Sequence, residues 1–301
     1  MDCAIGLDIG GSKIAAGLVF ESGKCGSVTI RPSAPSSESE MYERVRECIG
    51  EVIAKSDIQL ERIAGIGAGS PGLIDREKGL ALFSNNLPWR SFPLSEKLQE
   101  DFGMPVLLDN DVCMASYAEW YNLGGEKNET FVFMTVSTGI ACSIIHNGAF
   151  FRGAGMAGEI GMYVEEEAGD GTFVYRTLEE VASGSAISEK VKAFSGKLME
   201  EKMELFDYLL AGEQAKETEK MIARLAKSVY SIICLIDPHR IVLGGGVMNR
   251  NRRLAAEICR ELDGYRSLRN EPISKRISVS ALNDTAGLTG AGLMLLHSLK
   301  E

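Results

Sequence analysis

One pattern occurs twice in this chain and restricts the fold more than any other feature. Residues 5–20 read IGLDIGGSKIAAGLVF. Ile5, Leu7 and Ile9 alternate with Gly6 and Asp8, the two-residue period of a strand, and Ile14, Ala16 and Leu18 resume it after Gly10, Gly11 and Ser12. Residues 131–151, FVFMTVSTGIACSIIHNGAFF, follow the same scheme: a strand to Val136, a small-residue turn at Ser137, Thr138 and Gly139, and a second strand from Ile140. Each half of a chain of 301 residues thus starts with a hairpin closed by Gly, Ser and Thr, and the length suits two domains. Two α/β domains on one plan place equivalent turns towards a shared ligand site.

The first turn looks at first like a nucleotide P-loop. That motif ends Gly-Lys-Ser/Thr and opens a helix, whereas here the order is Gly11, Ser12, Lys13 and a strand follows. Two readings fit: a plain hairpin in which glycine only supplies positive φ, or a turn whose amides hold a phosphate. Further glycine or hydroxyl loops are expected at strand ends at residues 244–246 and 285–290. One such loop alone is an ordinary turn, but the set of four fits a polyphosphate lying on backbone amides with Ser12, Thr138 and Lys13 as added donors. A net charge of -10 and a pI near 5.1 argue against nucleic acid as a partner. The start Met1-Asp2 lacks a basic leader, and no apolar run reaches the roughly 18 residues of a membrane span, so a cytoplasmic protein is expected. Seven scattered cysteines without a Cys-x-x-Cys pair, and three separated histidines, point to reduced thiols and to no zinc cluster.

LLDNDVCMASYAEW places Asp109, Asn110 and Asp111 between an apolar strand and a helix. Asp111 either caps that helix through its first amides or takes the proton of an attacking hydroxyl whose neighbours Asn110 fixes. Other helices are expected at residues 41–55, from about Ser95 to Gly103, at 187–197, 202–211 and 215–237, and at the C-terminus, with a polar loop over 83–94.

Taken in order, these segments resemble the ROK family (repressor, open reading frame, kinase) of the sugar kinase, hsp70 and actin superfamily. LDIGGSK resembles its first phosphate loop, GSPGLID and NNLPW its sugar loops, DND its catalytic turn, STGI its second phosphate loop, GAGMAGEIG its sugar-contacting segment and VLGGGV its adenosine loop. The resemblance implies an α/β two-domain actin-like ATPase (ribonuclease H-like) fold with a ligand cleft between domains. Its domains would be 1–118 and 119–301, with the helix of about 286–301 packing back on the first. It implies ATP and Mg²⁺ as cofactors, a hexose phosphorylated at C6, and a homodimer. Asp111 would be the base and Asp8 would organise Mg²⁺ through water. Gly10, Gly11, Ser12, Lys13, Ser137, Thr138 and Gly139 would face the phosphates, Gly245 and Gly246 the adenosine. Asn86, Asn110, Glu159 and Glu179 would hold sugar hydroxyls. Family regulators carry a DNA-binding domain ahead of the first loop, and the early position of that loop here favours the kinase branch over a non-catalytic sugar sensor. Two departures stand out. Glu159-Ile160-Gly161 is followed by Met162 where the family has histidine, and residues 162–184 contain no Cys or His, so no structural zinc is expected. That loop would be ordered by packing of Phe173, Val174 and Tyr175, or stay mobile. Met162 either fills the space of the lost ring or favours a substituted sugar, as in N-acetylmannosamine or β-glucoside kinases. Ser137 and Ala141 replace common glycines in the second phosphate loop, a tolerable change because Ser137 still donates.

Overall fold

The computed structural model describes residues 3–168, 173–195, 215–265 and 271–300. The chain divides into two compact units, Met1–Gly125 with Thr285–Glu301, and Glu126–Asp284.

The first unit runs β1 (Cys3–Ile9), β2 (Lys13–Phe20), β3 (Cys25–Pro32), α1 (Glu38–Lys55), β4 (Ile63–Ser70), β5 (Leu73–Asp75), β6 (Leu80–Phe83), β7 (Arg90–Phe92), α2 (Leu94–Phe102), β8 (Val106–Asn110) and α3 (Asp111–Asn122). Its main sheet has the order β3-β2-β1-β4-β8, antiparallel in the β1–β2–β3 meander and parallel from β1 through β4 to β8. Alternation along β1 sends Ile5, Leu7 and Ile9 into a core with Met41, Val45, Ile49 and Val52 of α1. The opposite face carries Ala4, Gly6 and Asp8 and meets the last helix.

The second unit runs β9 (Thr130–Val136), β10 (Ile140–His146), β11 (Ala149–Phe151), β12 (Val164–Ala168), β13 (Phe173–Thr177), α4 (Leu178–Ala182), α5 (Gly184–Ser195), α6 (Ala215–Ile236), β14 (Arg240–Gly244), α7 (Gly246–Arg250), α8 (Arg252–Asp263) and β15 (Ile277–Val279). Its sheet, β11-β10-β9-β14-β15, repeats the first: an antiparallel meander on one side and two parallel strands on the other. The recurring hairpin therefore does mark two units on one plan. Val132, Met134 and Val136 of β9 pack with Leu225 and Val229 of α6 and Ile258 of α8.

The chain returns to the first unit as α9 (Ala286–Ser298). This helix is buried along nearly its whole length, which is why it lacks a polar stripe. Its backbone reaches the sheet because two strand glycines leave room. A Cβ on Gly6 would stand 1.9 Å from the Leu288 carbonyl oxygen, and one on Gly67 1.9 Å from that of Ala291.

Several expectations change. Residues 285–290 are not a phosphate loop at a strand end: Gly287 and Gly290 lie inside α9, where their missing Cβ atoms permit close packing. The polar loop of 83–94 contains β7, which pairs with β6, the middle strand of a small antiparallel sheet of order β5-β6-β7. α1 starts at Glu38, earlier than residue 41, because Ser37 caps it by accepting from the Glu40 amide. α2 starts at Leu94 without a side-chain cap at Ser95, and ends as expected at Gly103, whose φ of 65° suits glycine. α5 begins at Gly184, before residue 187. The helix expected at 202–211 lies outside the described residues. Among the described residues no helix is long and apolar enough to cross a membrane, and all seven cysteines are free thiols.

Candidate active site

Parallel strands bring their carboxyl ends to one edge of the first unit, where ligands of open α/β sheets bind. Asp8 lies beside Gly69, Gly69 beside Asp109, and Ser70 beside Asn110. Two strand spacings, about 10 Å, thus separate the Asp8 and Asp109 backbones. Asp8 is half-buried and sits against the first turn of α9: a Cβ on Gly287 would fall 2.5 Å from its carboxyl carbon. An anion at a helix N-terminus is stabilised by the unpaired amides there.

The adjoining turn is closed by the Gly10 amide donating to the Lys13 carbonyl at 2.9 Å. Ser33 occupies the turn's carbonyls, donating its hydroxyl to Gly10 at 2.6 Å and its amide to Ser12 at 3.1 Å. Among the described residues the Gly11 and Ser12 amides have no protein acceptor, as an anion-holding turn requires. Lys13 begins β2 beside them, half-buried. Gly11 rests on Asn86, where a Cβ would come within 2.9 Å of the Asn86 side chain. Asn86 is itself exposed, on a segment anchored by buried Leu87 and by Trp89, whose ring stacks on Phe92 at 4.7 Å. Local sequence thus sets an asparagine against the first turn.

Asn110, not Asp111, caps α3. Its Oδ1 accepts from the Val112 and Cys113 amides at 2.9 and 3.3 Å, and its Nδ2 donates to the Gly72 carbonyl at 3.2 Å. Asp111 is the first helical residue, held at the mouth of the strand-to-helix turn, with its carboxylate accepting from the Val112 amide at 3.0 Å. The capping role, one of the two readings of Asp111, is thus taken by its neighbour. Asp109 is buried and accepts from the Asn110 amide at 2.7 Å, which stiffens the turn from behind.

The second unit gathers the remaining candidates. The Ser137 amide donates to the Gly139 carbonyl at 2.8 Å, and the Ser137 carbonyl accepts from Gly184 at 2.7 Å. Gly245, at φ 89°, lies so close to β9 that a Cβ would be 2.4 Å from Thr135 Oγ1, and a Cβ on Gly246 would be 3.7 Å from Ser137 Oγ. Ser137, Thr138, Gly139, Gly245 and Gly246 are therefore neighbours. Sequence reasoning missed Gly184. Its signal was the small-residue ASGSA stretch just before the helix expected from residue 187, and only the structure shows it braced on Ser137, where a Cβ would meet the carbonyl at 2.5 Å.

Glu179, in α4, accepts from the Ile140 amide at 2.8 Å. Glu159 lies near it, and burial of its carboxyl together with the Glu179 charge raises its pKa above the ordinary glutamate value. Met162 follows on the same segment but is 59% exposed, so it does not fill the space of a lost ring. The loop beyond it is the β12–β13 hairpin. Val174 and Tyr175 are exposed on it, so the strand ladder orders it and not their packing. The Phe173 side chain and residues 169–172 lie outside the described residues. No group of three or more His, Cys, Asp or Glu side chains among the described residues is close enough to hold a metal ion by itself.

Comparison with known proteins bears on this constellation. The model of the ROK family matches residues 4–298. A glucokinase from Thermotoga maritima is 30% identical over 313 residues, covering 97% of this chain and 96% of its own. An N-acetylmannosamine kinase from Escherichia coli is 30% identical over 302 residues, covering 97% and 98%. The crystal structure of a ROK hexokinase from Thermus thermophilus superposes with a TM-score of 0.75 at 28% identity, covering 99% of each chain.

Proposed function

The chain belongs to the ROK family, with its two-domain actin-like α/β fold, and from that premise we propose that it is a sugar kinase. It transfers the γ-phosphoryl group of ATP to the C6 hydroxyl of a hexose or hexose derivative. The observation that carries the reading is the carboxyl edge of the first sheet, which presents Asp8, a turn with unclaimed amides, Asn86 and Asp111 together. A plain hairpin accounts for the glycines and leaves the two carboxylates without a purpose.

Phosphoryl transfer asks mainly for positioning, with proton removal from the nucleophile late. In this proposal Asp111 accepts the C6 hydroxyl proton. The Asn110 cap and its link to Gly72 hold Asp111 in place, and the remaining Asn110 N–H serves the sugar alongside Asn86, Glu159 and Glu179. Gly10, Gly11, Ser12 and Lys13, with Ser137, Thr138 and Gly139, receive the phosphates, and Gly245 and Gly246 the adenosine. A single half-buried carboxylate at Asp8, beside phosphate donors, fits Mg²⁺, which keeps most of its waters and takes one or two protein carboxylates. When bound, Mg²⁺ neutralises charge on the phosphate oxygens.

The experiment is coupled ADP release over glucose, N-acetylmannosamine, N-acetylglucosamine, mannose, fructose, allose and cellobiose. Sugar-dependent release is expected, and Asp111→Ala should lower kcat by about 10²–10⁴-fold, the usual worth of a general base. Release indifferent to every sugar excludes a kinase, and near-wild-type turnover of Asp111→Ala excludes Asp111 as the base. A second reading within the class, an N-acetylmannosamine or β-glucoside kinase, is favoured by Met162, an exposed apolar side chain with no hydrogen-bond donor where the family has histidine. A sensor without catalysis needs neither Asp8 nor Asp111. A cytoplasmic homodimer belongs to the same proposal, and light scattering on the purified protein checks its assembly.

A further inference from the structure

The Glu179 carboxylate is seated in a notch made by two residues without side chains. A Cβ on Gly139 would fall 2.3 Å from its Oε2, and one on Gly161 3.2 Å from the same atom. Within that notch Oε2 takes the Ile140 amide at 2.8 Å, the first amide after the Ser137–Thr138–Gly139 turn. A second clasp closes the other side of the turn. Gly184 donates to the Ser137 carbonyl at 2.7 Å and Ser185 to the Thr138 carbonyl at 3.3 Å. Residues 177–185 thus grip the turn from both sides. They are stiff enough to do so: Thr177 and Glu180 form a reciprocal capping box at the start of α4, and Leu178, Val181 and Ala182 are buried beneath it.

We propose that Glu179 is the positioning residue of the second phosphate turn, with Oε2 fixing the Ile140 amide and Oε1 left to a sugar hydroxyl, so that one carboxylate couples sugar occupancy to ATP affinity. The inference rests on the sugar kinase reading and adds to it a defined route for synergism between the two substrates. A sugar that takes Oε1 holds the carboxylate in its notch and so holds the turn. Coupling between two sites is reciprocal in binding and typically amounts to about 5–150-fold.

The test is calorimetric binding of a non-hydrolysable ATP analogue to the full chain, with and without saturating sugar, so that no turnover is needed. In the wild type the sugar should tighten the analogue about tenfold. Glu179→Ala should weaken it about tenfold in the absence of sugar and abolish the effect of sugar. Glu179→Gln keeps an acceptor for the Ile140 amide, so analogue affinity should stay within about threefold while the sugar KM rises. Gly139→Ala leaves Glu179 in the chain but displaces its carboxylate, and should reproduce the nucleotide defect of Glu179→Ala. Wild-type analogue affinity and coupling in Glu179→Ala, or in Gly139→Ala should Glu179→Ala fail to fold, overturns the inference. So does a wild type that binds the analogue with no response to a sugar it phosphorylates. A wild type that phosphorylates no sugar and binds no nucleotide instead overturns the kinase reading beneath it.

Discussion

Replacing Gly287 by alanine tests how the last helix serves the site. The new Cβ would stand 2.5 Å from Asp8 Cγ and Oδ2. Ordinary contact needs about 3.4 Å, so something moves by about 1 Å. Helix α9 is not free to move, because its Leu288 and Ala291 carbonyls already rest on Gly6 and Gly67, with 1.9 Å to any added Cβ. The half-buried Asp8 side chain must therefore yield. An off-rotamer carboxylate costs about 0.5–1.5 kcal/mol, and alanine for glycine inside a helix returns about 1 kcal/mol. Stability should change little, with Tm within about 4 °C of wild type. Activity should not be spared, since a catalytic group displaced by about 1 Å costs on the order of a hundredfold. Coupled ADP release against Mg²⁺ concentration should show kcat down about a hundredfold and a weakened Mg²⁺ response, next to a nearly unchanged melting curve. Gly290→Ala is the contrast. Its Cβ would meet the Met114 carbonyl oxygen at 1.7 Å, a backbone atom that cannot rotate away, so it should lose about 3 kcal/mol without touching Asp8. Wild-type kcat and Mg²⁺ response in Gly287→Ala, while Asp8→Asn is impaired, would refute the packing argument. An unimpaired Asp8→Asn would remove Asp8 from the site altogether.

Three further outcomes are expected. Asn110→Ala removes the α3 cap and the tie to Gly72, costing about 1–2 kcal/mol in chemical denaturation and lowering kcat as Asp111 loosens. Arg240→Ala takes the cation from Glu129, which is 6% exposed and held by Arg240 through two hydrogen bonds, one of them Nε to Oε2 at 2.8 Å, and leaves it the Glu126 amide at 3.1 Å. Because Arg240 itself is partly open to solvent, the loss should be about 2–3 kcal/mol, less than for a fully buried pair, and visible as a Tm lower by about 5–10 °C. Glu159 has a raised pKa from burial and from the Glu179 charge, so its ionised form disfavours the folded state. Glu159→Gln should therefore melt above wild type at pH 8, and the difference should vanish as pH falls below the ordinary value of 4.5, where the wild-type carboxyl is protonated in both states. A gap that persists at pH 4 contradicts that origin.

What could be read from the chain, and what could not, divides along one physical line. The two hairpins were legible because strand alternation and a glycine break are local, and so was the strand-to-helix turn at Asp109–Asp111. Of the two readings of Asp111, the capping one fell one residue off, because Asp and Asn are nearly equal capping residues and only the end of β8 decides which of them stands outside the helix. The glycines of 285–290 were misread for a different reason. Gly11 at a turn and Gly287 in a helix look alike in sequence, and the difference lies in what a Cβ would meet: the Asn86 segment in one case, the carboxylate of Asp8 in the other. That information sits some 279 residues away along the chain, beyond any local pattern. Strand register also sets the two units apart at one equivalent position. Asp8 pairs with Ala15 and Gly69, while in the second sheet Thr135 pairs with Ala141 and Gly244, so threonine occupies the position of the carboxylate. On the proposed kinase reading, an anion at position 135 would repel a phosphate held by the Ser137–Thr138–Gly139 turn, which is a reason for threonine there. Exchanging Thr135 for aspartate should accordingly weaken binding of the ATP analogue, and unchanged affinity would mean that the second turn does not face the phosphates.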